Sequence, residues 1–162
     1  MATTLTSSNL RVMVSEHINL NGVNHGATNA KVFGSISNVV KRIVTATTTE
    51  VGLIEFRAAL TSLGSAMLAG TFQLANVRYV RVTNLDDTNF VQLICRSTGN
   101  HELCVKLDAG QSWIAPMDNV GGTAAVMDAN TSALSVALDD LADITVKADS
   151  ASVDLEIFVA ST

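Results

Sequence analysis

The sequence predicts an all-β fold, an antiparallel β-sandwich with a jelly-roll as the favoured form. Three observations carry that expectation. Apolar residues recur with a period of two in several short segments, which is the spacing of a strand with one buried face. Polar turns rich in Asn, Asp and Gly separate those segments at fairly regular intervals. A single proline in 162 residues, with 48% hydrophobic but only 4% aromatic residues, points to sheets packed through Val, Leu, Ile, Ala and Met.

The first period-two segment is Leu10, Val12 and Val14, continuing to Ile18 and Leu20, with Arg11, Ser15, His17 and Asn19 on the opposite side. Asn21-Gly22 is a strong hairpin-turn signal, and Asn24-His25-Gly26 is a second turn. Strands are expected again over Ala30–Ile36 and Val39–Thr47. The small, polar residues before Leu10 read as a flexible N-terminal arm, residues 1–9, ahead of a single sandwich domain over 10–162. Between Phe56 and Leu68, Phe56, Leu60, Leu63 and Met67 fall near helical spacing among alanines, punctuated by Gly52, Gly64 and Gly70. A short helix and an ordered loop both fit there, and at most one short helix is expected.

The β pattern is strongest from Asn76 onward. Val80 and Val82 oppose Tyr79, Arg81 and Thr83, and the turn Asn84–Asn89 follows. Strands are expected over Phe90–Arg96, Glu102–Leu107 and Gln111–Met117. Placing Val91, Leu93, Cys95 and Leu103, Val105, Leu107 on the core pairs Leu93 with Val105 and Cys95 with Leu103. It also sets Arg96 opposite Glu102 on the outer face, a favourable pair. In that register Cys95 points inward and Cys104 outward, so they do not bond. A slip of one residue would face Lys106 to Leu93. Residues 118–143 are rich in Gly, Ala and Asp and read as a long loop with one short strand near Ala124–Met127. The chain closes on Ile144, Val146, Ala148, a turn at Asp149-Ser150, and Val153, Leu155, Ile157, Val159.

Charge and motif content narrow the function classes. Net charge is -5 and charged residues are 15% of the chain, against about 25% in an ordinary domain. That balance offers no basic footprint for nucleic acid. No apolar run reaches the roughly 18–20 residues of a membrane-spanning helix, and the start lacks the pattern of a secretory signal. A neutral surface of Ser, Thr, Asn and Ala suits a protein packed against neighbours. No phosphate loop, HExxH or CxxC motif occurs. His17, His25 and His101 are isolated on polar faces or in turns. Cys104 with His101, three residues away, is the one conceivable nucleophile–base pair. The carboxylates Asp139, Asp140 and Asp143, and the pair Asp86 and Asp87, have the chemistry of a hard-cation site but not the spacing of an EF-hand. Trp113 is a candidate sugar platform, although its alternation with Ser112 and Ile114 fits a packed aromatic. No catalytic, cofactor or metal residue is assigned, and no cofactor is expected.

Three stretches share one further feature: Arg78-Tyr79-Val80-Arg81-Val82-Thr83-Asn84-Leu85-Asp86, Val105-Lys106-Leu107-Asp108-Ala109-Gly110-Gln111-Ser112, and Ile144–Asp149 followed by Val153–Ile157. From Val77 onward, over about half its length, the chain resembles virion structural proteins of tailed, cyanophage-like bacteriophages. The resemblance implies a non-enzymatic β-sandwich present in many copies. It would be a capsid cement or decoration protein, made in the host cytoplasm and bound to the major capsid protein and to its own copies. A tail, collar or head-to-tail connector subunit is the alternative, and a sugar- or cation-binding module a second one. The arm and the 118–143 loop are the expected contact regions.

Overall fold

The computed structural model describes residues 6–60, 70–99, 101–115 and 139–162. Its strands are β1 (Ser8–Ser15), β2 (Asn19–Leu20), β3 (Val23–Asn24), β4 (Thr28–Ile36), β5 (Asn38–Ala46), β6 (Val51–Arg57), β7 (Thr71–Gln73), β8 (Val77–Asn84), β9 (Val91–Ser97), β10 (Glu102–Leu107), β11 (Ser112–Ala115), β12 (Leu141–Ala148) and β13 (Val153–Ser161). The only helical element among the described residues is a single 3-10 turn, Leu74–Asn76.

Two sheets form the body, in the orders β11-β8-β13-β5 and β10-β9-β12-β6-β7. Every pair is antiparallel except the short β6–β7 pair. Setting β7 aside, the pairing is nested. The first of the eight remaining strands lies beside the last (β5–β13), the second beside the seventh (β6–β12), the third beside the sixth (β8–β11), and the middle two form a hairpin (β9–β10).

Alternation supplies the core between the sheets. Val80 and Val82, Leu93 and Cys95, Ile144 and Val146, and Leu155, Ile157 and Val159 are all buried, while the residues between them are mostly half-buried or exposed. Burying each such aliphatic side chain contributes about 1.5–3 kcal/mol. The β9–β10 register is the expected one, with Leu93 opposite Val105, Cys95 opposite Leu103 and Arg96 opposite Glu102. Cys95 is buried, Cys104 is exposed, and both are free thiols.

Residues 8–36 do something else. β1 and β4 pair only with each other, and β2 and β3 extend the same hairpin around Asn21 and Gly22, both at positive φ (52° and 82°). Those angles are the pair a type I′ turn requires. The hairpin root rests on the outer face of the β11-β8-β13-β5 sheet through Phe33 and Ile36, which meet Tyr79 and Ala160 with Leu10, Val12, Ile114 and Phe158 around them. A bulge makes this possible. Between Leu10↔Phe33 and Ser8↔Ile36 the register slips by one, and Ser35 takes φ 59°. The extra residue turns both Phe33 and Ile36 to the same side, which strict alternation forbids.

Three sequence expectations change. Of the arm predicted over residues 1–9, Ser8 and Asn9 belong to β1, where Ser8 stands opposite Ile36, and residues 1–5 lie outside the described residues. The helix-like spacing begins inside a strand: Phe56 is buried in β6, a strand not foreseen, and residues 61–69 lie outside the described residues. The short strand expected near Ala124–Met127 also lies outside them.

Asn84 ends β8 with 0% exposure. Its amide Nδ2 donates to the carbonyls of Asn89 (2.9 Å) and Leu107 (3.2 Å), and its Oδ1 accepts from Asp86 N–H (2.9 Å). Its own N–H donates to Gln111 O at 2.9 Å. The side chain thus joins the turn after β8 to the end of β10. Asn84→Ala strands these buried groups and should cost about 2–4 kcal/mol. That is a loss of roughly 5–15 °C in Tm for a chain of this length, measurable by calorimetry; a change within about 2 °C would show that the hub is dispensable.

Candidate functional site

The residues singled out from sequence are dispersed rather than convergent. His101 Nδ1 lies 3.0 Å from Asp139 Oδ2 and 3.4 Å from Ser97 Oγ, and His101 N–H donates to Ser97 Oγ at 3.2 Å. A Ser, a His and an Asp are therefore together, yet both oxygens address the same ring nitrogen. A proton relay needs the hydroxyl on one nitrogen and the carboxylate on the other. The cluster instead ties the β9–β10 turn to the entry of β12, helped by Thr98 N–H donating to Asp140 O at 2.8 Å. A Cβ at Gly99 would overlap the Asp139 carboxylate, so any side chain there would have to displace it. Ser97 and His101 are four residues apart across the turn, whereas Asp139 comes from 38 residues on, beyond the reach of local pattern. Cys104 stands opposite Ile94 on the outer face, and no bond joins it to the His101 ring among the described contacts.

The acidic groups are engaged in structure. Arg96 is the centre of the outer face of its sheet. It reaches Glu102 (2.6 Å), Glu50 (2.7 Å), Asp143 (3.5 Å) and Thr145 Oγ1 (3.0 Å). Glu50 sits below the ordinary carboxyl range through the Thr145 hydroxyl and the Arg96 guanidinium. Asp86 is lowered by the backbone N–H groups of Asn89 and Thr88, and Asp87 accepts from the Thr88 hydroxyl. Asp139, Asp140 and Asp143 do not converge, and no group of three potential metal ligands forms among the described residues. Trp113 stands opposite Val82 and packs against the main core.

What the structure does bring together is an apolar surface on the hairpin. From Met13 to Val32 every residue but Gly26 is exposed. Met13, Val14, Ile18, Leu20, Val23 and Val32 account for six of the ten exposed large hydrophobic side chains among the described residues. Met13 and Val32 share one face of the hairpin, Val14 lies on the opposite face above an apolar cleft, and Ile18, Leu20 and Val23 lie toward its tip. This cleft beneath the hairpin, of about 180 Å³, is lined by Val12, Val14, Lys31, Phe33, Tyr79 and Ile114. The root is stiff: Phe33 and Tyr79 ring centres are 5.7 Å apart, and Tyr79 and Phe158 stand edge to face at 5.9 Å. Burial pushes the Tyr79 hydroxyl pKa up.

No protein-family model, curated protein or solved structure matches this chain.

The thiols and the acids each give a measurable titration. Burial pushes the Cys95 thiol up to about 12, so Ellman titration at pH 8 should find one rapidly reacting thiol, Cys104, and two after unfolding; two in the native state would refute that burial. Glu50, Glu55, Glu156 and Asp86 all have folded pKa values below their ordinary ones. Their stabilisation is present above the ordinary carboxyl pKa and lost as pH falls through the folded values. Tm should hold between pH 7 and about 5 and decline in more acid solution, less steeply in Glu156→Gln; identical slopes would remove Glu156 from the account.

Proposed function

We propose that the chain is a structural subunit of a phage virion, most simply a cement or decoration protein on the outside of the head. The hairpin β1–β4 would be the element that grips a neighbour. The observation that carries this reading is the uncovered apolar face and tip of the hairpin, held on an aromatic root. A two-stranded hairpin is marginal alone in water and gains stability when a third surface covers it. Selection against aggregation ordinarily removes such exposed patches unless they are used.

The nested pairing of the eight body strands supports reading the sandwich as a jelly roll, the form expected from sequence. The stretches that carry the virion resemblance lie on β8, β12 and β13 and around the Gly110 turn, so they are structural strands and turns of the body. Work of this kind needs rigidity and surface, not catalysis, and the major capsid protein and other copies are the partners it implies. A tail, collar or connector subunit would use the same hairpin in the same way.

Position decides between them. Antibody raised against the purified chain should label the heads of virions in immunogold micrographs; tail or neck label would favour the alternative, and virions free of label would sink both. Leu20→Ser with Val23→Ser should leave Tm within about 2 °C, as expected for exposed sites, while cutting incorporation into virions at least tenfold by quantitative mass spectrometry. Unchanged incorporation would exclude the hairpin tip as the contact.

A further inference from the structure

Each body sheet has two edges, and three of the four are poor templates for another strand. β7 has three residues and β11 four. β10 has six; it carries Glu102 and Lys106 and β5 carries Lys41 and Arg42, so length and not charge separates these two edges. β5 is different. It runs nine residues, contains no proline, and keeps an unbroken register with β13 from Asn38 to Ala46. Ile43 on its outer face is 63% exposed, the most exposed large apolar side chain among the described residues, and Val39, beyond Lys41 on the same face, is 50% exposed. Of the longer strands, β4 matches its length but is broken by the Ser35 bulge.

We infer that β5 is a dimerisation edge: it pairs antiparallel with β5 of a second copy across a twofold axis at Ile43, joining two four-stranded sheets into one of eight strands. This deepens the assembly reading by naming the first contact between copies, and it rests on that reading only in supposing that the chain self-associates.

Charge selects the register. Directly opposed residues of an antiparallel pair lie about 4.5–5.5 Å apart. An axis at Lys41 would set lysine on lysine, and an axis at Arg42 would set arginine on arginine on the side facing the other sheet; both are destabilising. An axis at Val44 moves Ile43 onto Thr45 and Lys41 past the strand end. With the axis at Ile43, the two isoleucines cover each other. Lys41 of each copy then stands opposite Thr45 of the other, whose hydroxyl donates to Asp154 at 2.6 Å. Each lysine therefore lies in a row with the carboxylate of the other copy while keeping its own Glu156 at 2.9 Å. The two lysines are four residues apart along the strands, about 14 Å, beyond the roughly 8–10 Å over which exposed charges are felt at physiological salt. A twofold contact also closes on itself, using up the long edge of this sheet and stopping at two.

The test is a cysteine scan in a Cys104→Ser background, leaving only the buried Cys95. Opposed Cα atoms at that spacing fall within disulfide range, so Ile43→Cys should give a covalent dimer on mild oxidation. Val39→Cys should not, because the two copies of residue 39 would be about 27 Å apart. Light scattering should show twice the chain mass for the native protein and the single mass for Ile43→Lys, with Tm of each variant confirming that it folds. A native monomer at millimolar concentration, or a native dimer whose Ile43→Cys variant fails to cross-link, overturns the β5 pairing. The outcomes stay separate from virion placement. A chain found on virions but monomeric would lose only this contact. A dimer that cross-links through position 43 but is absent from virions would lose only the proposed function.

Discussion

The body cannot close until its last strand is in place. β13 lies between β5 and β8, pairing Val153–Ser161 with Asn38–Ala46 on one side and Leu155–Ser161 with Val77–Asn84 on the other. Its inward residues Leu155, Ile157 and Val159 fill the middle of the core. Each of these contacts spans scores of residues, so chain entropy is lost before any contact offsets it. Topologies of this kind fold slowly. That constraint makes the local devices matter. The Asn84 carboxamide fixes the turn after β8, and Leu85 N–H then donates to Asp154 O at 2.9 Å, delivering the turn directly to β13. Gly110, at φ 71°, turns the chain from β10 into β11 beside the same hub.

The composition divides between two clusters in an instructive way. The main core is mostly aliphatic, with Phe56, Phe72 and Trp113 among more than twenty residues, while in the much smaller cluster at the hairpin root three of eight residues, Phe33, Tyr79 and Phe158, are aromatic. Large flat rings suit a junction where two sheets meet at one narrow contact, because each buries much area from few positions. The outer face around them is held by Glu156, bonded to Lys41 and to Arg81. The hairpin is thus anchored at its base and exposed beyond it.

Much of this was legible residue by residue. Period two revealed the strands after Asn76, and the demand that Leu93, Val105 and their neighbours share a face was enough to set the β9–β10 register. Asn21-Gly22 announced its turn. β6 escaped because its alternation fails: Leu53 and Ile54 are both buried in succession, opposite a register shift in β12. The same device hid the role of Phe33 and Ile36, since a bulge is a backbone event that leaves little trace in side-chain pattern. Strand partners were out of reach for a different reason. Local sequence decides which residues face inward, but the β5–β13 pairing is decided by the fit of the whole core. The Ser97, His101 and Asp139 cluster failed to appear for that reason too.

The scarcity of charge then acquires a structural meaning. Of the ten Lys and Arg residues, Lys41, Arg57, Arg81, Arg96 and Lys106 are held in ion pairs with acids on their own or adjacent segments. Pairs like these add little stability where they are exposed. Their larger effect is on the field around the molecule: each acid and base neutralised within a few ångströms contributes almost nothing at the separation of two approaching copies. A net charge of -5 spread over 162 residues leaves weak repulsion to overcome. Between two such surfaces, the balance is set by what apolar area can be covered. On the described residues that area is concentrated on the hairpin and on the outer face of β5, where the nearest charges, Lys41 and Glu156, are already paired with each other.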